Sequence, residues 1–151
     1  MKYFEDFDLG DATVFPGRYQ LTDDNIQAFA SEWDPYPFHT DPVAASESFY
    51  GGLVASTAHL FAISIKLCHS LPEAHAAISS LGTTDMLNHA PGYAGDTLRT
   101  RSTTLEKRLS QSRPGLGIIT AQSELVNQDD KVLFSYVNAA LYQLKASNNA
   151  P

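Results

Sequence analysis

The sequence predicts an α+β domain in which a curved antiparallel β-sheet wraps one long central helix. Three observations carry this. The segment "STAHLFAISIKLCHSL", from about Ser56 to Leu71, is apolar on nearly every face of a helix: Ala58, Leu60, Phe61, Ala62, Ile63, Ile65, Leu67 and Cys68. A helix of that kind belongs inside a protein. After Pro72 the pattern changes. Four segments near 76–89, 97–110, 115–127 and 131–144 are rich in Thr, Val, Ile, Leu, Phe and Tyr with partial alternation. The turn-forming stretches "APGYAGD", "SQSRPG" and "NQDDK" separate them. A sheet of about four antiparallel strands curved around the helix buries a helix that has no polar face.

The elements follow in order. "LTDDNIQAFASEW" reads as an amphipathic helix: Thr22 caps it, Asp23 and Asp24 suit its positive end, and Ile26, Phe29, Ala30 and Trp33 recur at helical spacing. Pro35 ends it. In "SEWDPYPFHTDP", Pro35 and Pro37 push Asp34 and Tyr36 toward extended backbone, so the segment is expected to be a stiff shaped loop and not a helical turn. A short helix should begin at "DPVAASES", with Asp41 as cap and Pro42 at the first helical position. Gly51 and Gly52 precede the central helix and allow close passage of the chain. "VNQDDKV" looks like a hairpin. The tail from about 145 to 151, "KASNNAP", is expected to fray. Without repeats or linkers, residues 1–151 are read as one domain.

Composition narrows the function classes. A formal charge of −7 argues against nucleic acid as the main partner, because phosphate binding needs a basic footprint. Arg99, Arg101, Lys107, Arg108 and Arg113 form a local basic stretch. A solvated strand face accounts for it; the sharper reading is contact with an anionic ligand. The single cysteine, Cys68, excludes an internal disulfide and sits in an apolar helical run, which marks it as core packing and not a nucleophile. "MKYFEDFDLG" is not a signal peptide and no apolar run reaches membrane-spanning length, so a soluble cytoplasmic protein is expected.

The chemistry gathers at two places. Asp34 and His39 join a good proton acceptor to a group that exchanges protons near neutrality, and together they can hold one water. The "GGLVAST" turn then delivers a helix N-terminus, whose free N–H groups suit a developing negative oxygen. The Thr57 N–H is the first candidate there, with the Ser56 hydroxyl as an assistant. The five histidines, His39, His59, His69, His75 and His89, show no HExxH or paired i,i+4 spacing, so no metal is expected. No GxSxG surrounds a serine, and "GLG" at 115–117 lacks a dinucleotide fingerprint.

The stretches "FEDFDLGD", "TDDNIQAFASEWD", "DPYPFHTDPVAASES", "FYGGLVASTAH" and "APGYAGDTL" together resemble the MaoC-like dehydratase family, which includes the R-specific enoyl-CoA hydratases. The resemblance implies the hot-dog fold, a homodimer, and reversible addition of water to trans-2-enoyl thioesters giving (R)-3-hydroxyacyl thioesters. It assigns water activation to Asp34 and His39, and thioester-oxygen binding to the N–H at Thr57, where the family usually has glycine. Ser56 stands where a histidine is common. Tyr36 stands where Asn or Gln is common, so it either alters a polar contact or shapes the acyl pocket. Gly52 completes the substrate-binding set. No cofactor is implied, coenzyme A being part of the substrate. Alternative readings are a hot-dog thioesterase and a non-catalytic acyl-thioester-binding subunit.

Overall fold

The computed structural model describes residues 1–146. A single 3-10 turn at Phe4–Asp6 leads into β1 (Ala12–Val14) and β2 (Tyr19–Gln20). Three helices follow, α1 (Asp23–Trp33), α2 (Pro37–Thr40) and α3 (Pro42–Glu47), and then the central α4 (Thr57–Cys68). The chain ends in β3 (Ala77–Asn88), β4 (Thr97–Leu109), β5 (Leu116–Val126) and β6 (Val132–Gln143). The long strands lie within one residue of the ranges expected from sequence. The sheet has six strands, not four, in the order β1-β4-β5-β6-β3, with β2 also paired to β4. This is the expected hot-dog arrangement, a curved antiparallel sheet around one helix. The β5–β6 turn closes where the Asn127 N–H donates to the Lys131 carbonyl at 3.0 Å, and Asp130 takes φ 60°.

The helix starts follow the sequence closely. Thr22 accepts from the Asn25 N–H to cap α1, and Asp41 accepts from Val43 and Ala44 to cap α3. The prolines of "DPYPFHTDP" act differently from the expectation: residues 37–40 do form a helical turn, α2. Tyr36 is extended, at φ −71° and ψ 144°, and serves as its N-cap. Pro37 takes the first helical position, where its missing N–H costs nothing. Asp34, Pro35 and Tyr36 stay outside the helices and the turn starts at Pro37, so His39 rides on a rigid turn.

The inner face of α4 joins a core of Leu21, Ile26, Leu60, Ile63, Leu67, Leu98, Leu125, Leu133 and Phe134. Burial of each large side chain contributes about 1.5–3 kcal/mol. Ser64 is the one hydroxyl on this face. It is fully buried, and lies 3.3 Å from both Thr100 Oγ1 and Tyr136 Oη, so three hydroxyls satisfy one another and tie α4 to β4 and β6. Burial pushes the Tyr136 phenol up to about 12 and keeps it protonated. The Cys68 thiol is also raised by burial, in keeping with packing and against a nucleophile.

Two expectations about α4 need correction. The helix stops at Cys68, three residues early, where Ser70 Oγ donates to the Leu67 carbonyl at 2.6 Å. It is also not buried all round: Ala58, Ala62 and Ile65 share an open face. No helix among the described residues is long and apolar enough to cross a membrane. The frayed-tail expectation falls mostly outside the described residues.

Candidate active site

Asp34 follows the last turn of α1, where its N–H donates to the Ala30 carbonyl at 2.9 Å and its carboxylate is left partly exposed. His39 lies on α2 and is 7% exposed. Its Nδ1 is 2.5 Å from the Val54 carbonyl. A carbonyl only accepts, so Nδ1 carries the hydrogen, and the tautomer this selects presents its lone pair at Nε2. That Nε2 is 3.8 Å from Asp34 Oδ2, too long for a direct hydrogen bond and suited to a water held by both.

Val54 is fixed in turn. Its N–H donates to Phe38, the Ala55 N–H donates to Gly92, and Val54 forms a bridge with Tyr93. A Cβ at Gly92 would lie 3.1 Å from both Leu21 Cδ1 and Leu60 Cδ2, so any larger residue would crowd these two side chains. The "PGYAGD" stretch is held by Asp96, whose carboxylate accepts from the Tyr93 N–H and from Gln128 Nε2, each at 2.9 Å. Its role is to set the wall of the site.

A cleft of about 290 Å³ joins these groups. Asp34, His39, Thr57, Asn88 and His89 supply its polar lining, and Val54, Leu60 and Pro91 are among its apolar walls. Thr57 opens α4, so its N–H has no acceptor within the helix. Its hydroxyl oxygen accepts from Asn88 Nδ2 at 2.8 Å. His89 Nε2 is 2.7 Å from Ser135 Oγ. Asn88 and His89 were not singled out from sequence as site residues. They come from the end of β3, some thirty residues after Thr57, and no spacing signal marks them.

The other expected residues stand apart from this lining. Ser56 is 1% exposed, and its hydroxyl accepts from the His59 N–H at 3.2 Å as the cap of α4. Tyr36 is 60% exposed and stacks on Phe38, with ring centroids 5.4 Å apart. Gly52 makes no close approach, the nearest atom to a Cβ there being Tyr93 Cδ1 at 4.0 Å; Gly51, at φ +69°, is the position that needs glycine. The basic stretch is mostly partnered. Arg99 pairs with Asp130, Arg101 with Glu124 at 2.7 Å, Arg108 with Glu106 at 3.5 Å, and Lys107 donates to the Phe7 carbonyl. That favours the solvated strand face. A larger cavity of about 740 Å³ runs along the other half of α4, past Phe61, Ile65 and Cys68, and neither Asp34 nor His39 lines it. Among the described residues no three His, Cys, Asp or Glu side chains converge as a metal site.

His59 lies behind the cleft, 4% exposed, stacked on Phe29 with ring centroids 4.4 Å apart, and its Nδ1 has no partner. Burial first, and then the nearby His39, lower its pKa from 6.5 to about 4. The unfolded chain therefore takes up this proton at a higher pH than the folded chain. Stability should fall as pH drops from about 6.5 toward 4, and be unaffected above that window. His59→Phe keeps the ring stack and removes the titration, so at pH 5 it should gain about 2 kcal/mol over wild type beyond any difference at pH 8. Urea melts at the two pH values check this; equal differences at both would contradict a buried neutral His59.

A family model described as "MaoC like domain" matches residues 7–127. The chain is 33% identical over 119 residues to a Bacillus subtilis (strain 168) protein named Uncharacterized protein YdeM, covering 76% of this chain and 81% of that one. The crystal structure of a MaoC-like dehydratase from Rhodospirillum rubrum superposes with a TM-score of 0.87 at 35% identity, covering 95% of this chain and 98% of that one. The R-hydratase PhaJ1 from Pseudomonas aeruginosa shares the fold, with a TM-score of 0.72 at 19% identity over 99% of this chain and 94% of that one.

Proposed function

Because the chain belongs to the MaoC-like domain family, we propose that it is a hydro-lyase that reversibly adds water to trans-2-enoyl-CoA thioesters, giving (R)-3-hydroxyacyl thioesters. The observation that carries this reading is the pairing of Asp34 and His39. Two acceptors, Oδ2 and Nε2, stand 3.8 Å apart at the wall of one cleft. One water spanning them gives a hydrogen to each and keeps a lone pair for attack on C3. One water proton is taken up by the pair as the C3–O bond forms, and a proton is delivered to C2. The thioester bond stays whole. The charge that develops on the thioester oxygen is met by the Thr57 N–H at the positive end of α4. Asp34 and His39 share the acid and base roles.

The working unit we propose is a homodimer. Strand β3 is the sheet edge and is exposed along nearly its whole length, with Ile78, Leu81, Met86 and Leu87 each 44–54% exposed. An open apolar edge of that length is a template for pairing. The open face of α4 is a further apolar surface for a second copy to cover.

Incubation with a trans-2-enoyl-CoA should give the R-3-hydroxyacyl-CoA with no free thiol, and the active species should sediment at twice the chain mass. Stoichiometric thiol release without a hydroxyacyl product would replace hydration by thioester hydrolysis.

A further inference from the structure

We propose that the Thr57 side chain is a second donor to the thioester oxygen, with its hydroxyl held in place by Asn88. This rests on the hydratase reading for its substrate, and on the geometry of this chain for the rest. Asn88 Nδ2 is donor-only, and at 2.8 Å it occupies a lone pair of Thr57 Oγ1. The hydroxyl proton therefore goes elsewhere. A threonine inside a helix returns that proton to the carbonyl four residues back. Thr57 is the first residue of α4, so the residue four positions back lies outside the helix and that acceptor is missing. The neighbouring Ser56 hydroxyl is buried beneath the cap, turned inward to the His59 N–H and away from the cleft. What remains in front of the Thr57 hydroxyl is the cleft that Thr57 and Asn88 line together with Asp34 and His39.

The arrangement gives the oxygen two donors from one residue, its backbone N–H and its side-chain O–H. Asn88 touches no reacting atom; it is a positioning residue acting through Thr57. An asparagine that donates to a hydroxyl also polarises it, because each bond in a chain strengthens the next. The same contact ties the end of β3 to the start of α4, so the donor is anchored on two elements.

The test compares Thr57→Val, Thr57→Ser, Asn88→Ala and the Thr57→Val/Asn88→Ala double variant on a short trans-2-enoyl-CoA. Valine keeps the branched shape without the hydroxyl, and should lower kcat about tenfold to a hundredfold with little change in KM, below the loss typical of an enclosed oxyanion donor because this hydroxyl is open to water. Serine restores the hydroxyl and should recover most of kcat. Asn88→Ala should cost a few-fold, and the double variant should be no slower than Thr57→Val alone, since the two residues act as one unit. Wild-type kcat in Thr57→Val, or losses that multiply in the double variant, would overturn the proposal and leave the hydratase reading intact.

A second measurement separates the two ideas if wild type hydrates nothing. Acetoacetyl-CoA enolises, and its enolate oxygen resembles the charge formed during hydration. Weaker binding of acetoacetyl-CoA by Thr57→Val than by wild type, by calorimetry, would uphold the donor while the hydratase reading fell. Equal affinity, or no binding to wild type, would overturn the donor as well.

Discussion

The Asp34→Asn variant is expected to lose about 10²- to 10⁴-fold in kcat on trans-2-enoyl-CoA, the usual size of a general acid–base contribution. The physical reason is local. Asparagine removes the negative charge and cannot take up a proton, so the water between position 34 and His39 Nε2 loses the carboxylate as a proton acceptor even where the amide oxygen still binds it. The fold should be indifferent to the change. Asp34 contributes its backbone N–H to the end of α1, and its carboxylate is partly exposed beside His39. Its melting point should therefore stay close to wild type, within the roughly 0.5 kcal/mol typical of exposed sites. A folded Asp34→Asn protein with wild-type kcat would remove the carboxylate from the mechanism.

Phe134→Ala is expected to produce the largest loss of stability, about 3–5 kcal/mol. Phe134 is fully buried in β6, with its ring centroid 6.1 Å from Phe61 of α4 and 5.8 Å from Tyr136. It belongs to the cluster that joins α4 to the sheet, and apart from Leu21 the cluster's leucines lie on α4 and on three different strands, so they cannot all collapse into the gap. Denaturant melts check this. A loss under about 1 kcal/mol would mean that the helix is held against the sheet by other contacts.

Why some of this was legible in the sequence follows from where each signal resides. The central helix was readable because its apolar residues leave no polar face, and the four long strands because turn residues separate them. The proximity of Asp34 and His39 was readable because one short segment holds both, with prolines between them. The helical turn at 37–40 was hidden, since two prolines in five residues read as a breaker although Pro37 at the first helical position begins a turn. Strands β1 and β2 were missed because three and two residues carry no period, and their pairing with β4 spans some 80–90 residues.

The same distinction separates the parts of the site. The Val54 carbonyl that sets the His39 tautomer has no sequence signature, because every residue offers a carbonyl. Asn88 reaches Thr57 only through the fold. Ser56 looked like a site hydroxyl because it adjoins Thr57, and the turn of the backbone at the cap directs it into the protein. Adjacent residues at a helix start can serve opposite ends: Ser56 caps the helix and Thr57 faces the cleft.

The most direct test of the account is loss of the ultraviolet enoyl-thioester band, followed with a short and a medium trans-2-enoyl-CoA for wild type and His39→Ala. The account predicts loss with wild type on at least one chain length and almost none with His39→Ala. Equal loss with both proteins, or no loss with wild type on either substrate, would contradict it.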